Sequence, residues 1–274
     1  MEIKLRDFSY IENKDTSFEK DYFSDVNMDF LPGEIVGVLG EDLDVLGKLI
    51  MCIKRPSKGN LILDNNEIKR TSHISNVELL RKKIGYIYDF DNEKFLANSV
   101  KNEIALTMRN YGKKVTNEHI IDSLKLVGLN DSYLDRNPNE LSYIEKKKLL
   151  FACAMSYNPD VLIVSYMDIG LSYREKDYFK KLLNKFKNKY NKTIIIITNK
   201  VDFLFDLDDK FYALNKGKVF LSGDKYELYN EKLYKYFDMP KIIEFTKYAK
   251  ECGHNINDYF DLKELIKEVY RNAK

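Results

Sequence analysis

The stretch Gly40-Glu41-Asp42-Leu43-Asp44-Val45-Leu46-Gly47-Lys48 follows a short apolar run and opens on a glycine. A loop that wraps phosphates reads Gly-x-x-x-x-Gly-Lys-Ser/Thr. The glycines let backbone N–H groups close on the anion, the lysine reaches its outer oxygens, and the hydroxyl holds Mg²⁺. Counted from Gly40, the lysine position is Leu46 and the hydroxyl position is Gly47. Glu41, Asp42 and Asp44 bring carboxylates to where phosphate charge would sit. Each like-charge contact at about 4 Å costs several kcal/mol at an effective dielectric of about 20. Gly47-Lys48 reads either as an out-of-register remnant of that motif or as a helical glycine beside a solvated lysine.

Other chemistry-bearing residues are sparse. His73, His119 and His254 lie far apart with no ligand spacing, so no metal site is expected. Cys52, Cys153 and Cys252 are isolated in apolar or helical settings and read as reduced, buried thiols. Lys146-Lys147-Lys148 reads as a solvated face. With 45 Lys plus Arg against 43 Asp plus Glu the net charge is only +2, which gives no basis for nucleic acid as a partner. The longest apolar run, Thr193 to Thr198, is far short of the roughly 20 residues of a membrane-spanning helix. Glu2 after Met1 gives no signal peptide pattern.

The elements that would position these residues follow from periodicity. Glu2 to Tyr10 and Phe23 to Phe30 alternate as half-buried antiparallel strands. Ile35 to Leu39, Ile84 to Tyr88, Val161 to Val164 and Ile194 to Ile197 are continuous apolar runs, suited to strands buried on both faces of a parallel sheet. Asn117 to Val127 after Thr116, Ser142 to Ser156 and Ser172 to Lys189 carry helical spacing. Phe211 to Leu214 and Lys218 to Leu221 flank a hairpin turn at Asn215-Lys216-Gly217. Asp64 to Glu67 reads as a surface connection, and the chain from Glu231 on as helices, one with an apolar face of Ile243, Tyr248 and Ala249.

The order of short segments is more specific than their periodicity. Gly33-Glu34-Ile35-Val36 leads into Leu39-Gly40, Ile84-Gly85-Tyr86-Ile87-Tyr88 follows, and Val127-Gly128-Leu129 precedes Glu140-Leu141-Ser142. Asn158-Pro159-Asp160 runs up to Val161 to Val164, Gly170-Leu171 comes after it, and Lys216-Gly217-Lys218 turns the last hairpin, with Phe237-Asp238-Met239-Pro240-Lys241 beyond. In this order the chain resembles the ATP-binding subunits of energy-coupling factor transporters, a branch of the ABC family, over residues 1 to about 230 and in its tail. The resemblance implies an α/β P-loop NTPase cassette: a mixed β core, an antiparallel β layer and a helical subdomain at about 92–158, within a nucleotide-binding domain of residues 1–232. A C-terminal helical domain of residues 233–274 would follow.

Carried onto that pattern, nearly every nucleotide-handling position is replaced. The Asp-Glu pair that would position Mg²⁺ and activate water is Ser165-Tyr166, the glutamine-loop position is Asp89, and the switch-histidine position is Asn199. The signature Leu-Ser-Gly-Gly-Gln is Leu141-Ser142-Tyr143-Ile144-Glu145, in which Ser142 survives as a helix cap. The base-stacking aromatic corresponds to Glu12, with Tyr10 two residues away, and Asp168 reads as a loop cap. Gly40, Gly47, Lys48 and Ser142 are therefore the vestigial cofactor-binding set, and ATP and Mg²⁺ are expected to bind weakly if at all. The resemblance further implies pairing with a second cassette, docking of a transmembrane coupling subunit in a groove around Asp89 to Val100, and a peripheral place on the inner face of the cell membrane. Three readings stay open: an inactive cassette subunit of such a transporter, a divergent ATPase using Lys48 and Asp168, and a scaffold or regulator derived from a cassette.

Overall fold

The computed structural model describes residues 1–71, 76–88, 95–207 and 209–272. Its described strands are β1 (Ile3–Glu12), β2 (Lys20–Phe30), β3 (Ile35–Leu39), β4 (Lys58–Leu63), β5 (Asn66–Ile68), β6 (Ile84–Tyr88), β7 (Val161–Ser165), β8 (Thr193–Thr198), β9 (Lys210–Asn215) and β10 (Lys218–Gly223). The α-helices are α1 (Asp44–Ile50), α2 (Val77–Arg81), α3 (Val100–Asn110), α4 (Asn117–Leu126), α5 (Tyr143–Ser156), α6 (Tyr173–Tyr190), α7 (Val201–Leu204), α8 (Lys241–Glu251) and α9 (Leu262–Asn272).

Two sheets form. An antiparallel one runs β2-β1-β4-β5, and a six-stranded one runs β10-β9-β3-β8-β7-β6. In the second, β3 pairs in parallel with β8 and β9, and β7 pairs in parallel with β6 and β8. Every residue of β3, β7 and β8 is buried, as expected for strands covered on both faces. Alternate side chains divide between two cores. Val36, Val38, Ile163, Ile195 and Ile197 pack with the antiparallel sheet and α1, while Ile35, Leu39, Leu162, Val164, Ile194 and Ile196 pack under the helices. That alternation is the period-two geometry of a strand between two layers.

The fold departs from the sequence-based expectation in several particulars. Asp64 to Glu67 is a hairpin turn into β5 rather than a plain connection, because β4 completes the antiparallel sheet by pairing with β1. Tyr248 is 66% exposed although Ile243 and Ala249 on the same helix are buried. At 3.6 residues per turn Tyr248 lies off the stripe through 243, 246 and 249. Cys52 and Cys153 are buried, but Cys252, just beyond α8, is exposed. Burial pushes the Cys153 thiol up to about 12, which makes it inert. Lys147 is the clearest reversal, for it is 2% exposed and lies inside the structure. No described helix is long and apolar enough to cross a membrane.

Candidate functional site

The carboxyl ends of β3, β7 and β8 converge, so the segments that follow them share one edge of the sheet. Such an edge is where ligands of open α/β sheets bind. After β3 the chain turns through Gly40 to Leu43, with Asp42 in the left-handed region (φ 54°), and enters α1. The bend has the course of a phosphate loop, but a tyrosine side chain already engages two of its backbone groups. The Tyr166 hydroxyl accepts from the Leu43 N–H at 2.8 Å and donates to the Gly40 carbonyl at 3.0 Å. Burial is the main reason the Tyr166 hydroxyl is harder to ionise, and the nearby carboxylates of Asp42, Asp44 and Glu41 add to it. It therefore stays neutral and holds both roles, donor and acceptor. Tyr166 itself has φ 51°, an uncommon conformation for a large side chain, and its own N–H donates to the Ile197 carbonyl at 2.7 Å.

Leu46, at the lysine position, is fully buried in the core beneath the antiparallel sheet. Gly47, at the hydroxyl position, is covered by Tyr86, whose hydroxyl donates to the Asp44 carbonyl at 3.0 Å. A Cβ on Gly47 would lie 2.4 Å from the Tyr86 ring. Lys48 turns back along the helix to Asp44 at 2.7 Å and is 39% exposed, the solvated lysine of the simpler sequence reading. Asp42 pairs with Lys20 at 2.6 Å. Two of the three loop carboxylates thus carry counter-charges from the protein itself.

At the end of β7, Ser165 is wholly buried, and among the described residues neither its Oγ nor the buried Asn199 Oδ1 after β8 has a hydrogen-bond partner. Asp168 is 3% exposed and accepts from the Thr198 hydroxyl at 2.8 Å. Burial raises its pKa, with the Thr198 hydrogen bond opposing the shift. It is a partnered buried carboxyl rather than an exposed loop cap. Glu12 is ion-paired with Lys54, whose ammonium lies 5.8 Å from the Tyr10 ring centroid. Asp89 and the 89–94 part of the expected docking groove lie outside the described residues, as does His73. Among the described residues no group of three or more His, Cys, Asp or Glu is placed to hold a metal ion.

Ser142 caps α5 as expected, but Glu145 completes a capping box. Its carboxylate accepts from the Ser142 N–H at 2.8 Å and from the Tyr133 hydroxyl at 2.5 Å. The Tyr133 hydroxyl, then Ser142, hold the Glu145 carboxyl down to about 2. A negative charge therefore already sits at the positive end of the helix dipole. One turn on, Lys147 Nζ donates to the carbonyls of Met167 and Ile169, both at 2.8 Å. The Tyr143 hydroxyl donates to the Ile169 carbonyl at 3.0 Å.

These residues do not fit ATP and Mg²⁺. The loop N–H of Leu43 and carbonyl of Gly40 face Tyr166, the lysine position is buried leucine, and the strand ends supply neutral Ser165 and Asn199 oxygens. Mg²⁺ wants a near-octahedral oxygen shell with carboxylate or phosphate among its ligands. Sequence reasoning placed Tyr166 at the water-activating position but not as the group that closes the loop, and it read Lys147 as solvated.

The parallel core, the antiparallel layer packed on it and the helices around α3 to α5 define a P-loop cassette of the ABC type. A family model described as ABC transporter matches residues 23–164, and the chain belongs to that family. It is 26% identical over 278 residues to the energy-coupling factor transporter ATP-binding protein EcfA3 of Oenococcus oeni, covering 98% of this chain and 96% of that protein. To the EcfA2 protein of Streptococcus agalactiae it is 28% identical over 266 residues, covering 93% and 94%. In fold it resembles cbiO1 of Clostridium perfringens, described as part of the ABC transporter complex cbiONQ. The TM-score is 0.72 at 24% identity, over 92% of this chain and 97% of that one.

Proposed function

We propose that the chain is a cassette subunit of an energy-coupling factor-like transporter that works without ATP chemistry of its own. It pairs with a second cassette, which supplies the hydrolysis, and docks a transmembrane coupling subunit that brings it to the inner face of the membrane. Residues 1–232 form the cassette and 233–274 the helical extension. The observation that carries this reading is the closure of the phosphate loop by Tyr166, whose hydroxyl satisfies both Gly40 and Leu43. To close on a phosphate the loop would have to give up these two bonds. The near-full-length likeness to energy-coupling factor ATP-binding proteins supports the transporter setting.

The test is co-expression with the intact cassette and the multi-span membrane protein encoded beside it. The chain is expected to co-purify with both, and the isolated chain to show no melting shift in millimolar MgATP. A stabilisation above about 2.7 kcal/mol would mean ligand at about a hundred times its Kd and a loop that still binds. A Mg²⁺-dependent turnover abolished by Lys48→Ala would establish a divergent ATPase. Purification alone, with no affinity for either neighbour, would establish a free scaffold.

A further inference from the structure

The short loop after β7 is tied from three directions. At its start, the Tyr166 hydroxyl is bonded to Gly40 and Leu43 and the Tyr166 N–H to the Ile197 carbonyl. In its middle, Met167 is 1% exposed and the buried Asp168 carboxyl holds the Thr198 hydroxyl. Toward its far end, the carbonyls of Met167 and Ile169 receive the buried Lys147 ammonium, and Ile169 also receives the Tyr143 hydroxyl. The Lys147 ammonium lies 4.5 Å from the Tyr143 ring centroid, and the Tyr143 ring in turn covers Gly170, which has φ 72°. The loop also turns on itself, with the Ile169 N–H donating to the Tyr166 carbonyl and the Leu171 N–H to the Asp168 carbonyl, both at 3.3 Å. Its interior backbone thus has little freedom; its own Tyr166 side chain ties the near end to the 40–43 backbone, and side chains of α5 hold the far end.

We propose that residues 166–170 act as a strap that couples the first turn of α5 to the loop at 40–43, so that the helical layer and the strand ends move as one body with no nucleotide present. The coupling runs through a contiguous chain of hydrogen bonds, from Leu43 to Tyr166, along the loop to Met167 and Ile169, and on to Lys147 and Tyr143. An ammonium shared by two backbone carbonyls is a charge-assisted contact that a neutral side chain does not replace. This inference concerns the nucleotide-free protein, so it stands or fails separately from the proposed transporter role.

Amide hydrogen exchange of the isolated chain, without nucleotide, tests it. Lys147→Met removes the far tie, and Tyr166→Phe removes the near tie while keeping the ring. A strap transmits. Lys147→Met is therefore expected to speed exchange at residues 41–43 by tenfold or more, and Tyr166→Phe to do the same at 145–148, with β1 and β2 unchanged as internal reference. Lys147→Arg, which keeps the charge and the donors, is expected to restore most of the protection. If Lys147→Met does not fold, Tyr143→Phe removes the hydroxyl that bonds the Ile169 carbonyl from a 43% exposed side chain and carries the same readout at 41–43. Loosening confined to the mutated end in each folded variant overturns the proposal, because the two contacts would then be local packing and nothing more.

Discussion

The strands β3, β7 and β8 and the segments that leave their carboxyl ends follow different rules within a few residues of each other. The strands are buried throughout and keep the Ile/Val pattern of a sheet covered on both faces. The segments keep the path of a nucleotide site but fill it with groups that satisfy one another: Tyr166 with Gly40 and Leu43, Asp168 with Thr198, Lys147 with Met167 and Ile169. Backbone course is set by burial of apolar side chains, which needs no ligand. Chemistry is set by a handful of polar atoms whose replacement leaves that course intact. Under the proposed function, a cassette fold and a cassette's reaction are separable properties of one chain.

The largest effect expected from this contrast lies in the strands. Ile196→Asp puts an unpaired carboxylate at a position that is 1% exposed and should cost more than about 4 kcal/mol, enough to unfold the domain in a thermal melt. A native melting temperature would remove β8 from the core. The sharper case is Leu46→Lys, which restores the missing lysine of the phosphate loop. Since Leu46 is fully buried and the loop is closed by Tyr166, the expected result is a loss of roughly 2–4 kcal/mol and no gain of ATP binding. Tight MgATP binding by this variant would show that the loop is open to repair by one residue.

Smaller effects test the polar ends. The Glu145 carboxyl is held at about 2 against an ordinary value of 4.5. Its contribution to stability is therefore complete above its unfolded-state value and disappears as pH falls from there through about 2. Glu145→Gln should flatten that acid limb of the melting curve while retaining most of the capping at neutral pH. A limb of unchanged slope would put the acid sensitivity elsewhere. Least of all should come from Lys48→Ala, which removes an exposed pair one turn along α1. The expected loss is about 0.5 kcal/mol or less, with no change in nucleotide response.

The contrast also explains how much was legible in advance. Ile35 to Leu39 and Ile84 to Tyr88 were readable to the residue, because a buried strand writes an unbroken apolar run. Ser142 was readable as a cap since its partner lies three residues away, and the loss of the lysine at Leu46 was visible from spacing alone. Lys58 to Leu63 was not read as a strand, because Gly59 and Asn60 blur its alternation and only its pairing with β1 makes it one. Lys147 looked like one of three solvated lysines. What buries it is a pair of carbonyls 20 and 22 residues on, and backbone carbonyls leave no mark in a sequence. Tyr166 reaches Leu43 across 123 positions for the same reason.

Gly47 also restricts what side chain this edge can take. The side of α1 that a magnesium-holding hydroxyl would use is pressed against the Tyr86 ring, which is pinned by its bond to Asp44 and stacked on Tyr88 at 4.9 Å. A serine at position 47 would bring its Cβ 2.4 Å from that ring, so Tyr86 must shift or be replaced to admit it. Shrinking Tyr86 alone opens a void in the core and is disfavoured by itself. A magnesium-holding hydroxyl at this edge therefore demands coordinated change at positions 47 and 86, not a single substitution.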